Sequence, residues 1–338
     1  MNLLLLPARN IALTIPVVLV TGFITGLYVD TSPLKNYILP VTMVMIYPMM
    51  IGFRLGEIIN LAHKKLILVS LGINFFIVPL LAYLLGVLFL VDDPQLFAGL
   101  AIASLLPTSN MTIAFTMLGG GNIPAAIKLT VISLVLGSLL APWYLLVMVG
   151  TYIQIDVLAT LKTITLVVFV PLTLGMVTYR LILKKYTQEE FYTVIKPNLP
   201  AVTVWGMVYI IFTGMSTNAH TIVSQSNLFL LAVLVQALFY AANYFISLTF
   251  GRFYFNGENT ITLVFSTVLC NLAISMGVAA TAFGVKAALM VSLAFLFQGQ
   301  SAAWFIRLNK RYNLLQNILP GLCKMFVGKD GMETEEDL

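Results

Sequence analysis

Apolar residues along this chain come in runs too long for a soluble core. Stretches such as 66–90, 127–149 and 228–250 hold almost no ionisable side chain, and each matches the ~20 residues that a helix needs to cross a ~30 Å hydrocarbon layer. The pattern predicts ten spans, at 10–29, 36–53, 64–91, 95–118, 124–149, 160–183, 199–217, 226–251, 259–283 and 286–308. Turn-forming or charged clusters separate them, among them Asp30-Thr31-Ser32-Pro33, Asp92-Asp93-Pro94 and the stretch 184–197. A membrane barrel would show alternating segments of ~10 residues instead. So many apolar runs in series also exclude a secretory leader as their explanation. The expected fold class is therefore an all-α membrane protein.

Composition agrees. Of 338 residues, 60% are hydrophobic and 9% charged, against roughly 25% charged in soluble domains. Two cysteines, Cys270 and Cys323, are too few for a disulfide framework. The net charge of +5 suggests a nucleic-acid partner only until its distribution is considered. With the N-terminus inside, basic residues from Arg9, Arg54 and Lys64 through Lys184, Arg252 and Lys310 to Lys329 fall on the cytoplasmic side, and only Lys35, Lys162 and Lys286 fall opposite. Basic loops stay in the cytoplasm. The expectation is a multi-pass protein of the cell membrane with both termini cytoplasmic, ending in a solvated acidic tail at 333–337.

The chain also repeats itself. Pro40-Val41-Thr42 opens the second span, as Pro200 and Thr203 open the seventh; Asn74 falls opposite Gln236, and Thr108-Ser109-Asn110-Met111 opposite Leu269-Cys270-Asn271-Leu272. Five spans per half is an odd number, so the halves lie inverted: residues 1–158 as one repeat, 159–310 as the other, and 311–338 as a cytoplasmic tail. Inverted repeats mark secondary transporters, which bind solute near midplane at broken helices.

Candidate chemistry follows from polar residues at membrane depth. Pro107 removes a helical donor, and Thr108, Ser109 and Asn110 follow it. Such a segment either unwinds to hold a solute or ion, or kinks while its hydroxyls bond back to the helix. Cys270 and Asn271 at the repeat-related position favour a site. Asn74, Gln236 and Asn243 either extend that site or bond neighbouring helices. Lys128 is the one cation inside a span. It either supplies fixed positive charge near the site or snorkels to the headgroups. No Asp or Glu lies at midspan, no Walker-type loop occurs, and His63 and His220 have no ligand cluster around them. The expectation is no enzyme activity, no metal and no cofactor.

Several residues carry a family resemblance across about 10–310: His63 followed by Asn74-Phe75 and Pro79, Pro107 followed by Ser109-Asn110, Gly121-Asn122, and Asn271. Their order and spacing resemble the bile acid:sodium symporter superfamily, which includes arsenite permeases. The resemblance implies ten helices in a five-plus-five inverted repeat, split into a panel and a core, with the fourth and ninth helices unwound and crossing. It also implies ion-binding roles for Ser109, Asn110, Thr130 and Asn74. Departures count against sodium. The ninth span reads Ser266-Thr267-Val268-Leu269-Cys270-Asn271 where sodium-coupled members resemble Glu-x-Gly-x-Gln-Asn, and Ala126 stands at a serine position beside Lys128. Arsenite permeases resemble Pro-Cys where this chain has Pro107-Thr108. The function expected is a secondary carrier of a small organic or inorganic anion, with Asn74, Thr108, Ser109, Asn110, Lys128, Thr130, Cys270 and Asn271 as substrate or ion residues. The alternatives are arsenite or antimonite efflux with Cys270 as soft ligand, and, from another class, a channel or a non-transporting receptor.

Overall fold

The computed structural model of the protein describes residues 7, 11–52, 63–153, 157–224, 226–312 and 315. Arg9, Arg54, Glu57, Cys323 and the acidic tail lie outside them. No strand occurs among the described residues. The main helices are α1 (Ile11–Tyr28), α2 (Ile38–Met50), α3 (Lys64–Phe89), α4 (Pro94–Leu105), α5 (Asn110–Gly119), α6 (Ile123–Val149), α7 (Leu158–Ile182), α8 (Leu199–Thr217), α9 (Ser226–Tyr254), α10 (Gly257–Val268), α11 (Leu272–Ala282) and α12 (Val285–Tyr312).

Helix occupies each of the ten intervals read from the sequence, and two of those intervals hold a broken pair. Length and apolarity are more selective. Among the described residues six helical stretches are long and apolar enough to cross a bilayer, with α10 and α11 counted as one, and the bent pair α4–α5 makes a seventh. Helices α1, α2 and α8, at 18, 13 and 19 residues, are shorter. Large apolar side chains such as Leu68, Phe76, Trp143, Val147, Phe245 and Trp304 point outward, as hydrocarbon-facing side chains do.

Sequence explains the local irregularities. Helix α3 widens into a π-turn at Ile73–Ile77 just before Pro79, because proline offers no N–H to the preceding turn. The Phe75 carbonyl freed there accepts the Tyr144 hydroxyl at 2.5 Å. A second π-turn, Thr165–Phe169, precedes Pro171 in α7. Side-chain caps start the helices that lead into the centre: Asp93 accepts from Leu96 N at 3.3 Å, Asn122 from Ala125 N at 3.1 Å, and Asn256 from Asn259 N at 3.1 Å.

Helices α1, α2, α7 and α8 pack as one group, and α3–α6 with α9–α12 as another; α11 and α12 meet α2 and α8 between them. Glycine permits the closest approaches. A Cβ on Gly26 would collide with the backbone of Ser216, and one on Gly277 with the methyl of Thr42. The first contact closes α1 onto α8, and the second closes α11 onto α2.

Candidate transport site

The centre is built by two breaks that meet. After Leu105 the chain leaves the helix at Leu106-Pro107-Thr108, with Thr108 in the left-handed region at φ +63°, a conformation disfavoured for a β-branched residue. It resumes as α5, turned by 57°. After Val268 it leaves the helix again and resumes at Leu272. The breaks are joined directly: Asn271 N donates to the Leu106 carbonyl at 2.8 Å. A side chain adds to this, since the Thr112 hydroxyl lies 3.2 Å from the Leu269 carbonyl and accepts Ser109 N at 3.0 Å.

Each break ends in a capped helix N-terminus. Ser109 caps α5 by accepting from Met111 N at 3.2 Å, and Asn271 caps α11 by accepting from Ile274 N at 3.3 Å. Helix N-termini carry partial positive charge and orphan N–H groups. Both face one cleft, bordered by Ser109, Asn110 and Met111 on α5, Cys270 through Ala273 at the second break, Phe295 and Gln298 on α12, and Pro48, Met49, Ile51, Lys196, Leu199, Thr203, Val204 and Met207 from the other helix group. Its empty volume is about 770 Å³ with the solvent at its mouth included.

The structure brings Ser109, Asn110, Cys270 and Asn271 together on this cleft. Asn110 is exposed to it; Cys270 is 1% exposed. The other four sequence candidates do not border it. Thr108 turns its hydroxyl to the Pro107 carbonyl at 2.6 Å and toward Leu129 on α6 at 3.4 Å. Thr130 bonds back to Ala126 O at 2.8 Å. Asn74 is fully buried and donates to the Ser266 carbonyl at 2.9 Å, tying α3 to α10, while Ser70 and Ser266 share a 2.9 Å hydroxyl contact beside it. Gln236 mirrors that arrangement, donating to Met290 O at 2.9 Å. Lys128 is 3% exposed, so it is packed inside the protein rather than extended to the headgroups. The family marks converge as well: Asn122 contacts both His63 Nδ1 and Asn259 Oδ1 at 3.1 Å.

Sequence reasoning missed Gln298. Its amide pairs with the backbone of Cys270 in both directions, accepting from Cys270 N and donating to Cys270 O, each at 3.1 Å. The Tyr240 hydroxyl donates to the same Gln298 oxygen at 3.1 Å and so fixes which way the amide faces. The available signal was an amide deep in an apolar span, the criterion that had picked out Asn74 and Gln236. Among the described residues no group of three His, Cys, Asp or Glu side chains is placed to hold a metal ion.

Comparison with known proteins matches residues 39–225 to the Sodium Bile acid symporter family. The uncharacterised protein YbaS of Bacillus subtilis is 24% identical over 259 residues, 75% of this chain and 82% of that protein. The arsenical-resistance protein Acr3 of Corynebacterium glutamicum is 25% identical over 263 residues, 73% of this chain and 70% of that one. The probable sodium/metabolite cotransporter BASS5 of Arabidopsis thaliana chloroplasts is 26% identical over 219 residues, 63% of this chain; the match spans about half, 51%, of its length. With a family match across more than half its length and helices fit to cross a bilayer, the chain belongs to the sodium bile acid symporter family and is a multi-pass membrane transporter of that type.

Proposed function

We propose that the protein is a secondary carrier of an organic anion, working by alternating access around the crossed breaks. One observation carries this reading: two capped helix N-termini, at Ser109 and Asn271, border the same cleft and are tied to each other through Leu106. Their partial positive charge suits a carboxylate or another oxyanion, with the Asn110 and Asn271 amides beside it. Met49, Ile51, Val204 and Met207 offer an apolar wall for the body of the solute.

The ten-helix inverted repeat is part of the proposal. Helix starts at Lys64, Pro94, Asn110 and Ile123 recur at Ser226, Gly257, Leu272 and Val285, an offset of 162 or 163 residues each time. The matching caps are Ser109 and Asn271, one residue away from the Asn110–Asn271 pairing suggested by the sequence. The halves 1–158 and 159–310, cytoplasmic termini and a cell-membrane location belong to the same reading. Under that orientation the cleft opens to the cytoplasm at Lys196. We infer that Lys128, buried in α6, stands in for a bound cation, and that sodium is not the coupling ion.

A second reading has its own support. Cys270 shares the cleft with Met49, Met111 and Met207, a sulfur-rich lining suited to soft species such as arsenite or antimonite, and Acr3 is among the relatives.

Counterflow in proteoliposomes distinguishes these readings. Purified protein is loaded with unlabelled cholate, pyruvate or arsenite, and labelled solute is supplied outside in sodium or choline medium. The organic-anion reading expects saturable exchange of cholate or pyruvate in both media. Exchange of arsenite alone, abolished by Cys270→Ser, would select the second reading, and flux without counterflow would indicate a channel.

A further inference from the structure

Helix α11 joins two cavities. Its first residues, Leu272 and Ala273, border the cleft already described, and its last, Ala280 and Thr281, border another of about 770 Å³ empty volume, also including open solvent. Helix α2 runs between the same two, with Met49 in its last turn and Ile51 just past its end at the first, and Ile38 and Leu39 at the second. The second cavity therefore lies at the opposite end of the interface between the two helix groups, roughly 14 Å away along α11 at ~1.5 Å per residue. Between the two cavities, Gly277 is closed against Thr42.

The charges at that end are few and concentrated. Of the three lysines that the sequence places on this face, Lys286 is held by Asp93 at 2.8 Å. The remaining two, Lys35 and Lys162, both line the second cavity. They come from different elements, Lys35 from the 3-10 turn Ser32–Tyr37 ahead of α2 and Lys162 from the start of α7. Neither has a carboxylate within ion-pair distance among the described residues. Asp30 is near enough to Lys35 to feel its charge, but its carboxylate is fully exposed and is held below the usual range mainly by the backbone N–H of Ser32. Asp156, six residues before Lys162 in sequence, lies outside the described residues.

The other polar lining groups are Asn36, Thr163 and Thr281. Both threonine hydroxyls donate back to their own helices, Thr163 to Ala159 O at 2.9 Å and Thr281 to Gly277 O at 2.7 Å. Their protons are thus spent, and the donors left for a ligand are two ammonium groups and the Asn36 amide. The carbonyls ending α11 carry partial negative charge, whereas α2 begins at this cavity and brings partial positive charge. Two full cations outweigh the difference.

We propose that Lys35 and Lys162 form a second anion-binding site, for a carboxylate or sulfonate, at the end of the transport path opposite the cleft. Such a site collects anionic solute on one face, and the closed Gly277–Thr42 contact separates it from the crossed breaks. Its part in solute entry or exit rests on the anion-carrier reading; its affinity for anions does not, so the test is independent of transport.

The test places a thiol at the cavity, Thr281→Cys, in full-length protein in nanodiscs, with the chain carrying Thr281 as background. Modification rates are measured with a sulfonate reagent, 2-sulfonatoethyl methanethiosulfonate, and with its trimethylammonium analogue. One unit charge ~7 Å away across water alters the local concentration of a monovalent reagent roughly threefold. Two lysines acting oppositely on the two reagents should bias the rate ratio toward the sulfonate by tens of fold at low ionic strength. In Lys35→Gln/Lys162→Gln the ratio should fall roughly tenfold or more, and Lys35→Arg/Lys162→Arg should keep it. In 1 M salt, where the screening length is ~3 Å, the bias should shrink in the protein with both lysines, a result that needs no further variant. A ratio unchanged by the double glutamine substitution, a ratio indifferent to salt, or a thiol inert to both reagents would each overturn the site. Loss of transport with the labelling bias intact would instead count against the carrier reading alone.

Discussion

Replacing Gln298 with methionine keeps the side chain's length and volume but removes both polar atoms through which this residue holds the backbone of Cys270. Three buried groups lose their partner: the N–H and carbonyl of Cys270, each at 3.1 Å from the amide, and the Tyr240 hydroxyl, also at 3.1 Å. Unsatisfied buried groups cost ~1–3 kcal/mol each, but interhelical hydrogen bonds in membranes average only about 0.6 kcal/mol by double-mutant cycle. The lower scale, summed over three groups, gives about 2 kcal/mol, and modest desolvation raises it to about 3 kcal/mol. At ~1.4 kcal/mol per tenfold, the population with the break released should rise roughly 30- to 150-fold. Cys270 reports this directly, because its side chain is 1% exposed while the break is held. In a Cys323→Ser background, the N-ethylmaleimide reaction rate of Gln298→Met should rise by that factor. Tyr240→Phe removes one bond of the three and should raise it only a few-fold. Equal rates in all three proteins would refute the clamp and leave Gln298 as packing.

Two further predictions concern the closed contact and the buried cation. Gly277→Ala drives a methyl into Thr42, and overpacking of this kind costs ~1–3 kcal/mol; solute exchange in liposomes should fall several-fold and recover in the Gly277→Ala/Thr42→Ala pair, whereas failure to recover would place the defect elsewhere. Wild-type exchange should be indifferent to replacing sodium by choline, while Lys128→Ala should exchange more slowly and regain rate with added sodium; strict sodium dependence of the wild type would contradict the role given to Lys128.

The helical content and the breaks were legible because hydrocarbon leaves long apolar runs, prolines and misplaced polar residues few other meanings. Pro107 with Thr108-Ser109-Asn110 signalled the first break, and the recurrence at Cys270-Asn271 signalled the second. Span lengths were less legible: at 13 residues, α2 is shorter than its apolar interval, because apolar composition continues where helical backbone does not. The candidate site was legible only in part. A polar residue at membrane depth advertises that it needs a partner but not which one. Asn74 finds Ser266, while Asn110 and Asn271 border the cleft. Gln298 carries the same mark in sequence as Asn74 and Gln236, an amide in an apolar span, but only the fold brings it against the second break, where it pairs with the backbone of Cys270. Lys128 could be placed at a helix end by counting, but its burial depends on how α6 is surrounded.

The central claim is that solute binds where the two capped helix N-termini meet. Asn110→Ala and Asn271→Ala address it most directly, in counterflow of whichever of cholate or pyruvate the wild type exchanges. Losing the Asn271 cap costs ~1 kcal/mol of local stability, which folded, monodisperse protein should tolerate; Asn110 lies exposed to the cleft, so its loss should cost less. The account predicts that both variants are recovered folded and that exchange falls at least tenfold in each. Wild-type exchange rates in both variants would contradict it.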